Sequence, residues 1–286
     1  MWRLKFGFPP ISMITAQTRI FSMELREFLL QKPFPGLGAW IEPSVRQILR
    51  SPSVQRVTPT RMISVIIPAH NEEKYLPQTL AALQRQNYGW FEVIVVANGC
   101  TDRTKEAAQD ACHRLIVLSQ KNLGVARNLG ARMARGEILL FLDADTILEP
   151  MALRVIAEAF TNSDAAGTIH GLPDDPRLAY RVIYGLKNFV HSCSLHPGSS
   201  GVILCWKKHF MRVGGFDEAL AVRENSELVK RLLRFGRYKY IGAVSATTSM
   251  RRYEQCGVGR VVWMWCRLWA ESFLSDLRQK QYETIR

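Results

Sequence analysis

The 286-residue sequence has no apolar run long enough to cross a bilayer. Its longest candidate, Val261 to Cys266, is six residues and is closed by Arg267, against the roughly 18 to 20 that a spanning helix needs. Cysteine is sparse: Cys100, Cys112, Cys193, Cys205, Cys256 and Cys266 are scattered through a long chain. That is not the dense framework of a small secreted domain, and it fits a reduced, cytoplasmic setting. There is no Gly-x-x-x-x-Gly-Lys-Ser/Thr loop, no Gly-x-Gly-x-x-Gly turn and no Gly-x-Ser-x-Gly elbow, which removes kinase-like, dehydrogenase and serine-hydrolase chemistry. The basic start does not read as a signal peptide, because Pro9 and Pro10 interrupt Phe6 to Ile14 and no small-residue cleavage site follows. His191, Cys193 and His196 lack the paired spacing of structural zinc sites.

What is abundant is positive charge, +13 in all, and it is unevenly placed. Residues 62 to 222 hold 16 basic and 16 acidic side chains and so balance, whereas residues 1 to 61 have nine against three (+6) and residues 223 to 286 thirteen against six (+7). Basic ends rich in Trp, Phe and Leu suit an anionic surface, with peripheral contact on the inner face of a membrane as one reading. Solvated surface charge is the other. A nucleic-acid partner is not expected, since no aromatic-basic recognition motif accompanies the charge.

The chain divides into three parts. Residues 1–61 carry seven prolines and no sustained period, which limits helices to short pieces such as Ser22 to Leu30. This stretch is either a membrane or partner arm or a segment upstream of a true start at Met62. Residues 62–255 read as an α/β domain of two halves, residues 62–165 and residues 166–255. Residues 256–286 read as an amphipathic helix, Val261, Trp265, Trp269 and Phe273 forming one stripe. Such a helix packs on its own domain or lies on a lipid surface.

Unbroken apolar runs at Ile63 to Ile67, Val93 to Val96, Leu115 to Leu118 and Ile138 to Leu142 predict strands covered on both faces. Helical spacing links them: Leu76, Leu80 and Leu83 follow Asn71 as an expected cap, and Val125, Leu129 and Met133 precede Gly136. Strand–helix alternation predicts a mostly parallel sheet with helices on both faces. Ligands in such sheets sit beyond the carboxyl ends of the strands.

At one such end stands Phe141-Leu142-Asp143-Ala144-Asp145, where strand alternation would turn both carboxylates to one side. Hard Mg²⁺ or Mn²⁺ ions are held by one or two carboxylates, with phosphate oxygens and water completing the shell. The plainer alternative is a loop aspartate capping the next helix.

In order along the chain come Ile63-Ser64-Val65-Ile66-Ile67-Pro68-Ala69-His70-Asn71-Glu72-Glu73, Val95-Val96-Ala97-Asn98-Gly99-Cys100-Thr101-Asp102-Arg103-Thr104, Asn122-Leu123-Gly124-Val125-Ala126-Arg127-Asn128-Leu129-Gly130-Ala131, and Gly136-Glu137 leading into Asp-Ala-Asp. Together they resemble glycosyltransferase family 2, whose nucleotide-binding half has the GT-A fold, over residues 62 to about 255. The resemblance implies a nucleotide-diphosphate-sugar donor and a glycan, lipid-linked or phosphate acceptor. Pro68, Ala69 and Glu72 would line the nucleoside pocket, with Asn98 at the base edge where family members often have Asp. Arg127 and Asn128 would approach the nucleotide, with Asp143, Ala144 and Asp145 around the diphosphate. Asp145 would be the principal metal ligand and Asp143 its neighbour.

The second half fits through Gly198-Ser199-Ser200-Gly201 and Val213-Gly214-Gly215-Phe216-Asp217-Glu218, and then departs. In Arg223-Glu224-Asn225-Ser226-Glu227-Leu228, Asn225 stands where the family commonly has the aspartate base of inverting enzymes. An amide does not take up the acceptor's proton, which leaves Glu224 first and Glu227 second as base, or an acceptor that arrives already ionised. Arg251 and Arg252, after an expected strand at Tyr240 to Ala246, could clamp the diphosphate through planar guanidinium donors. A basic surface turn is the alternative. The expected activity is metal-dependent, inverting sugar transfer. A noncatalytic sugar-nucleotide or glycan binder, which the loss of the aspartate would permit, and a nucleotidyltransferase are the rivals. The second would have a basic, Gly-rich loop where this chain has Ala69-His70-Asn71-Glu72.

Overall fold

A computed structural model describes residues 61–194, 198, 201–220 and 223–271. The expected helix over Ser22 to Leu30, most of the N-terminal extension, His196, Ser199, Ser200, Phe273 and the side chains of Trp265 and Trp269 lie outside the described part.

The strands are β1 (Ile63–Ala69), β2 (Phe91–Asn98), β3 (Arg114–Leu118), β4 (Ile138–Leu142), β5 (Thr146–Leu148), β6 (Asp164–Pro173), β7 (Val202–Trp206) and β8 (Arg237–Thr248). The helices are α1 (Leu76–Gln84), α2 (Thr104–Gln109), α3 (Leu123–Met133), α4 (Ala152–Ala159), α5 (Leu178–Ser192), α6 (Lys207–Arg212), α7 (Glu224–Leu232), α8 (Arg251–Cys256) and α9 (Val258–Glu271).

All eight strands form one sheet in the order β3-β2-β1-β4-β7-β6-β8-β5. The four predicted strand units make its parallel side, with Val65 opposite Val93 on β2 and Leu140 on β4. β4 then pairs antiparallel with β7, and β6 runs antiparallel to β7 and parallel to β8. Periodicity alone does not anticipate β5, β6 or β7. The ten residues of β6, Asp-Ala-Ala-Gly-Thr-Ile-His-Gly-Leu-Pro, lack a clean alternation.

Alternate residues of the central strands feed two cores. Val65, Val95 and Leu140 pack under α1 and α4, whereas Ile66, Val96, Leu139 and Phe141 pack under α3 and α7. Burial on both faces is what the unbroken apolar runs of β1, β2 and β4 require; β3, expected to be covered likewise, is instead an edge strand with Val117 52% exposed.

Two helix expectations are corrected. Helix α1 begins at Leu76, with Pro77 in its first turn, and not at an Asn71 cap. Asn71 adopts a left-handed φ of 55° and accepts a hydrogen bond from Thr101 N at 2.9 Å. Helix α3 does not bury a Val125–Leu129–Met133 stripe: Met133 is exposed, and the buried face is Gly124, Ala126, Arg127, Asn128, Gly130 and Ala131. Small residues let this helix lie close on the sheet. A Cβ on Gly130 would fall 2.5 Å from Ile66 Cγ2. That close approach carries Arg127 and Asn128 inward.

The start of β6 is fixed by Asp164, which accepts from Arg237 Nε at 2.9 Å and from Thr161 N and Oγ1 at 2.8 Å each. Burial raises the proton affinity of this carboxyl, but the Thr161 and Arg237 hydrogen bonds outweigh it and hold the pKa below the ordinary value. The native state thus favours the carboxylate, and its stabilisation is present above the unfolded pKa near 4 and is lost as pH falls through the lower native value. Asp164→Asn should lower the unfolding free energy in denaturant titrations by about 1–3 kcal/mol at neutral pH. The gap should close as pH is taken below about 4.

Candidate active site

The carboxyl ends of β1 and β2 are laced together by their loops. Glu72 N donates to Thr104 Oγ1 at 2.7 Å, Glu73 N to Asp102 Oδ2 at 3.1 Å, and Arg103 N to Glu73 Oε2 at 3.0 Å. His70 Nδ1 donates to the Asn98 carbonyl at 2.8 Å. Pro68 and Ala69 close β1 opposite Val96 and Ala97 and are buried. The Asn98 side chain is also buried, and its Oδ1 accepts from Asn122 N at 2.8 Å, which fixes the entry to α3.

Glu72 turns inward. Its two oxygens accept from Arg251 Nη1 and Nη2 at 2.8 and 2.7 Å, the bidentate geometry that suits a guanidinium. The same Nη2 lies 2.9 Å from Asp145 Oδ2, and the Arg251 guanidinium stands over the Tyr75 ring at 4.4 Å. Arg251 reaches this place because it opens α8 directly after β8.

Asp143 and Asp145 sit in the turn between β4 and β5. Asp143 N donates to Gly201 O at 3.0 Å and Ser249 N to Asp145 O at 3.2 Å, which pins the turn to its neighbours. Gly201 has a φ of 85°, and a Cβ there would stand 2.7 Å from Thr146 Oγ1, so a side chain is excluded beside the turn. Ala144 is buried, and its carbonyl accepts from Thr79 Oγ1 at 2.8 Å. Burial pushes the Asp145 carboxyl up to about 6, with Arg251 pulling it down and Asp143 and Glu72 pushing it further up.

The two carboxylates meet different cations. Asp143 Oδ1 lies 3.3 Å from Arg127 Nη2, while Arg127 Nη1 donates to Glu224 Oε1 and Asn225 Oδ1 at 2.9 Å each. Arg127 is only 4% exposed and stands 5.0 Å over the Phe216 ring, and its Nε is buried without an acceptor. It therefore joins the β4 exit to the first turn of α7. Arg223, just before α7, takes a left-handed φ of 58°, an uncommon conformation for a residue with a side chain. Glu227 instead pairs with Arg231, whose Nη1 donates to Val213 O at 2.6 Å. Asn128 holds the Phe216 backbone through both amide ends and donates to Glu218 Oε1 at 2.9 Å.

Arg252 is half-buried, near Lys187 and Tyr253. Lys187 is one of the groups that sequence reasoning missed: burial lowers its pKa to about 8, assisted by Arg252, and it lies over the rings of Tyr184 and Tyr253. Tyr184, which lies near Thr248 next to the Asp145 turn, was missed as well. The one sequence cue was the spacing of Tyr180, Tyr184 and Lys187, which share the inner side of α5. Tyr75 carried none, and Glu218 entered only as the end of the Val213–Glu218 segment.

Four carboxylates, Glu72, Asp143, Asp145 and Glu224, thus converge on Arg127 and Arg251 beyond the parallel strand ends. Among the described residues no group of three or more His, Cys, Asp or Glu is set to enclose a metal ion. The oxygens of Asp143 and Asp145 are nonetheless of the hard type that Mg²⁺ or Mn²⁺ takes, and the excess acid around Asp145 favours a cation there. The residues fit an ion that takes the rest of its shell from phosphate and water.

The family model for Glycosyl transferase family 2 matches residues 64–211, more than half of the chain. The chain belongs to this family of sugar-transferring enzymes. An uncharacterized glycosyltransferase of Nostoc sp. (strain PCC 7120) is 34% identical over 116 residues, 38% of this chain and 36% of that one. Glycosyltransferase GlyG of Streptococcus pneumoniae is 32% identical over 114 residues, 37% of each. The chain thus spans just over a third of the length of these curated relatives. Among solved structures, a mannosyltransferase from Pyrobaculum calidifontis in complex with GDP-Man and Mn²⁺ superposes with a TM-score of 0.55 at 20% identity, covering 65% of this chain and 56% of that one. S. aureus TarS 1-349 in complex with UDP-GlcNAc gives 0.53 at 22%, covering 65% and 58%. The mixed sheet flanked by helices is that of GT-A glycosyltransferases.

If Arg127 is the buried cation on which Glu224, Asn225 and Asp143 depend, its removal leaves partly buried acceptors without that donor. Arg127→Ala should cost about 3 kcal/mol in chemical denaturation. Asn225→Ala, which removes one neutral partner, should cost about 1 kcal/mol. Equal losses would separate Arg127 from this role.

Proposed function

We propose that the chain transfers a sugar from a nucleotide-diphosphate donor to a glycan, lipid-linked or phosphate acceptor, with inversion, using Mg²⁺ or Mn²⁺ held at Asp143 and Asp145. The observation that carries this reading is the largely buried Asp145 at the exit of β4, crowded by Asp143 and Glu72 and reached by Arg251. The ligands named in the solved relatives, GDP-Man with Mn²⁺ and UDP-GlcNAc, support it. A bound divalent ion supplies neutralisation of the leaving diphosphate.

The rest falls to the chain's own groups. In this reading Pro68, Ala69, Glu72 and Asn98 border the nucleoside, and residues 62–165 form the donor half. Arg251 and Arg252 turn guanidinium donors toward the phosphates, where fixed positive charge favours departure of the nucleotide. Residues 166–255 bring the acceptor. Glu224 is oriented by its ion pair with Arg127 and takes the acceptor's proton, whereas Glu227 is engaged by Arg231. A peripheral contact of the basic ends with an anionic surface accompanies this assignment. Asn225, which accepts from Arg127 in place of an aspartate, is what favours the second reading, a binder without turnover.

UDP-, GDP- and dTDP-sugars screened by thermal shift with and without Mn²⁺ test donor binding. At a hundred times Kd the matching donor should add about 2.7 kcal/mol, a rise of about 5–10 °C for a domain of this size. The shift should need the ion and vanish in Asp145→Ala. A full shift in metal-free buffer speaks against the metal. For the base, Glu224→Gln should cut turnover by about 10²–10⁴ while leaving the donor-induced shift intact. Unaltered turnover would remove Glu224 from that role.

A further inference from the structure

Helix α5 is inverted relative to an ordinary surface helix. Its buried side chains are Tyr180, Tyr184, Asn188 and His191. Its large apolar groups point the other way: Leu178, Val182, Leu186 and Phe189 are 76%, 61%, 63% and 59% exposed. They recur every three or four residues and so form one stripe along the helix. The neighbouring α9 also exposes apolar groups. Tyr180 and Tyr184 pack with Val261 and, through α8, with Met250 and Tyr253, while Trp263 of α9 is 62% exposed and Val262 is also exposed.

The charge on these helices is mostly positive. α5 contains Arg181 and Lys187 and no acid, and α9 contains Arg260 and Arg267 with Glu271 as its last residue. The acids at the near edge are engaged: Asp175 and Glu254 pair with Arg177, and Asp174 accepts from Met250 N. An apolar stripe on a helix whose charged side chains are cations, next to a helix with an exposed tryptophan, matches the boundary of an anionic bilayer. Two copies meeting through the same stripe would bring their own Arg and Lys together, which disfavours a dimer there.

We propose that α5, with the start of α9, is a docking face for an anionic lipid surface, on which the apolar stripe enters the acyl boundary while Arg181, Arg260 and Arg267 meet headgroup phosphates. The inner side of α5 carries Tyr184, which faces Thr248 beside the Asp145 turn, so docking places the candidate site close to the membrane. The inference does not depend on sugar transfer, and its readout is independent of any donor.

The full chain is sedimented with vesicles of 3:1 phosphatidylcholine and phosphatidylglycerol and with vesicles of phosphatidylcholine alone. The wild type should pellet with the anionic vesicles at least tenfold more strongly. The double substitution Leu186→Gln and Phe189→Gln should weaken that binding about tenfold while leaving the melting temperature unchanged, since both side chains are exposed. No pelleting, equal pelleting with neutral vesicles, or full binding by the double variant would overturn the proposal. So would a wild-type dimer in sedimentation equilibrium that the double substitution dissociates, because the stripe would then be covered by a second copy.

Discussion

The structure around the strand ends depends on how buried negative charge at the exit of β4 is compensated. Asp145 is taken out of water with Asp143 and Glu72 close by, an arrangement that costs free energy unless cations are brought to it. Two arginines meet that demand. Arg251 comes from the far end of β8 and bridges Glu72 to Asp145, and Arg127 comes from the buried face of α3 and bridges Asp143 to α7. Each ties segments that are distant in the chain, so one electrostatic requirement fixes the mutual positions of β1, β4, α3, α7 and α8.

The mixed sheet makes those approaches possible. Its parallel side delivers loops to one edge, as right-handed crossovers must. The antiparallel pairing of β4 with β7 turns the chain back beside the Asp143 turn, and Thr146 of β5 meets Thr248 of β8 at 3.1 Å. The carboxylate turn therefore lies between two sheet regions of different polarity, with Arg251 held one turn beyond β8. α5 keeps polar groups inward and apolar groups outward, so Tyr184 is the side chain it turns toward the Asp145 turn.

The departure at Asn225 has a physical counterpart in this network. An aspartate there would be a second carboxylate on Arg127 Nη1, beside Glu224. The amide accepts the same hydrogen bond without charge and leaves Glu224 as the anionic partner of Arg127 in α7. The substitution thus changes which residue carries charge at the first turn of the helix.

The sequence by itself determined the parallel half of the sheet, because unbroken β-branched runs between helical periods have no other stable burial. It also put Asp143, Asp145, Arg127, Glu224 and Arg251 among the residues to watch, since short motifs at strand ends carry their chemistry locally. Only the tertiary structure decided which of them touch. The pairing of Arg127 with Glu224, of Arg251 with Glu72, and of Glu227 with Arg231 depends on how closely α3 lies on Ile66 and on where β8 ends. The buried face of α3 was misjudged for the same reason: glycine and alanine allow a contact that large apolar residues would prevent, and hydrophobic periodicity does not register a helix that packs through its smallest side chains. The outward stripe of α5 was likewise hidden, because a helical period reports that one side is apolar and only the fold decides which side faces out.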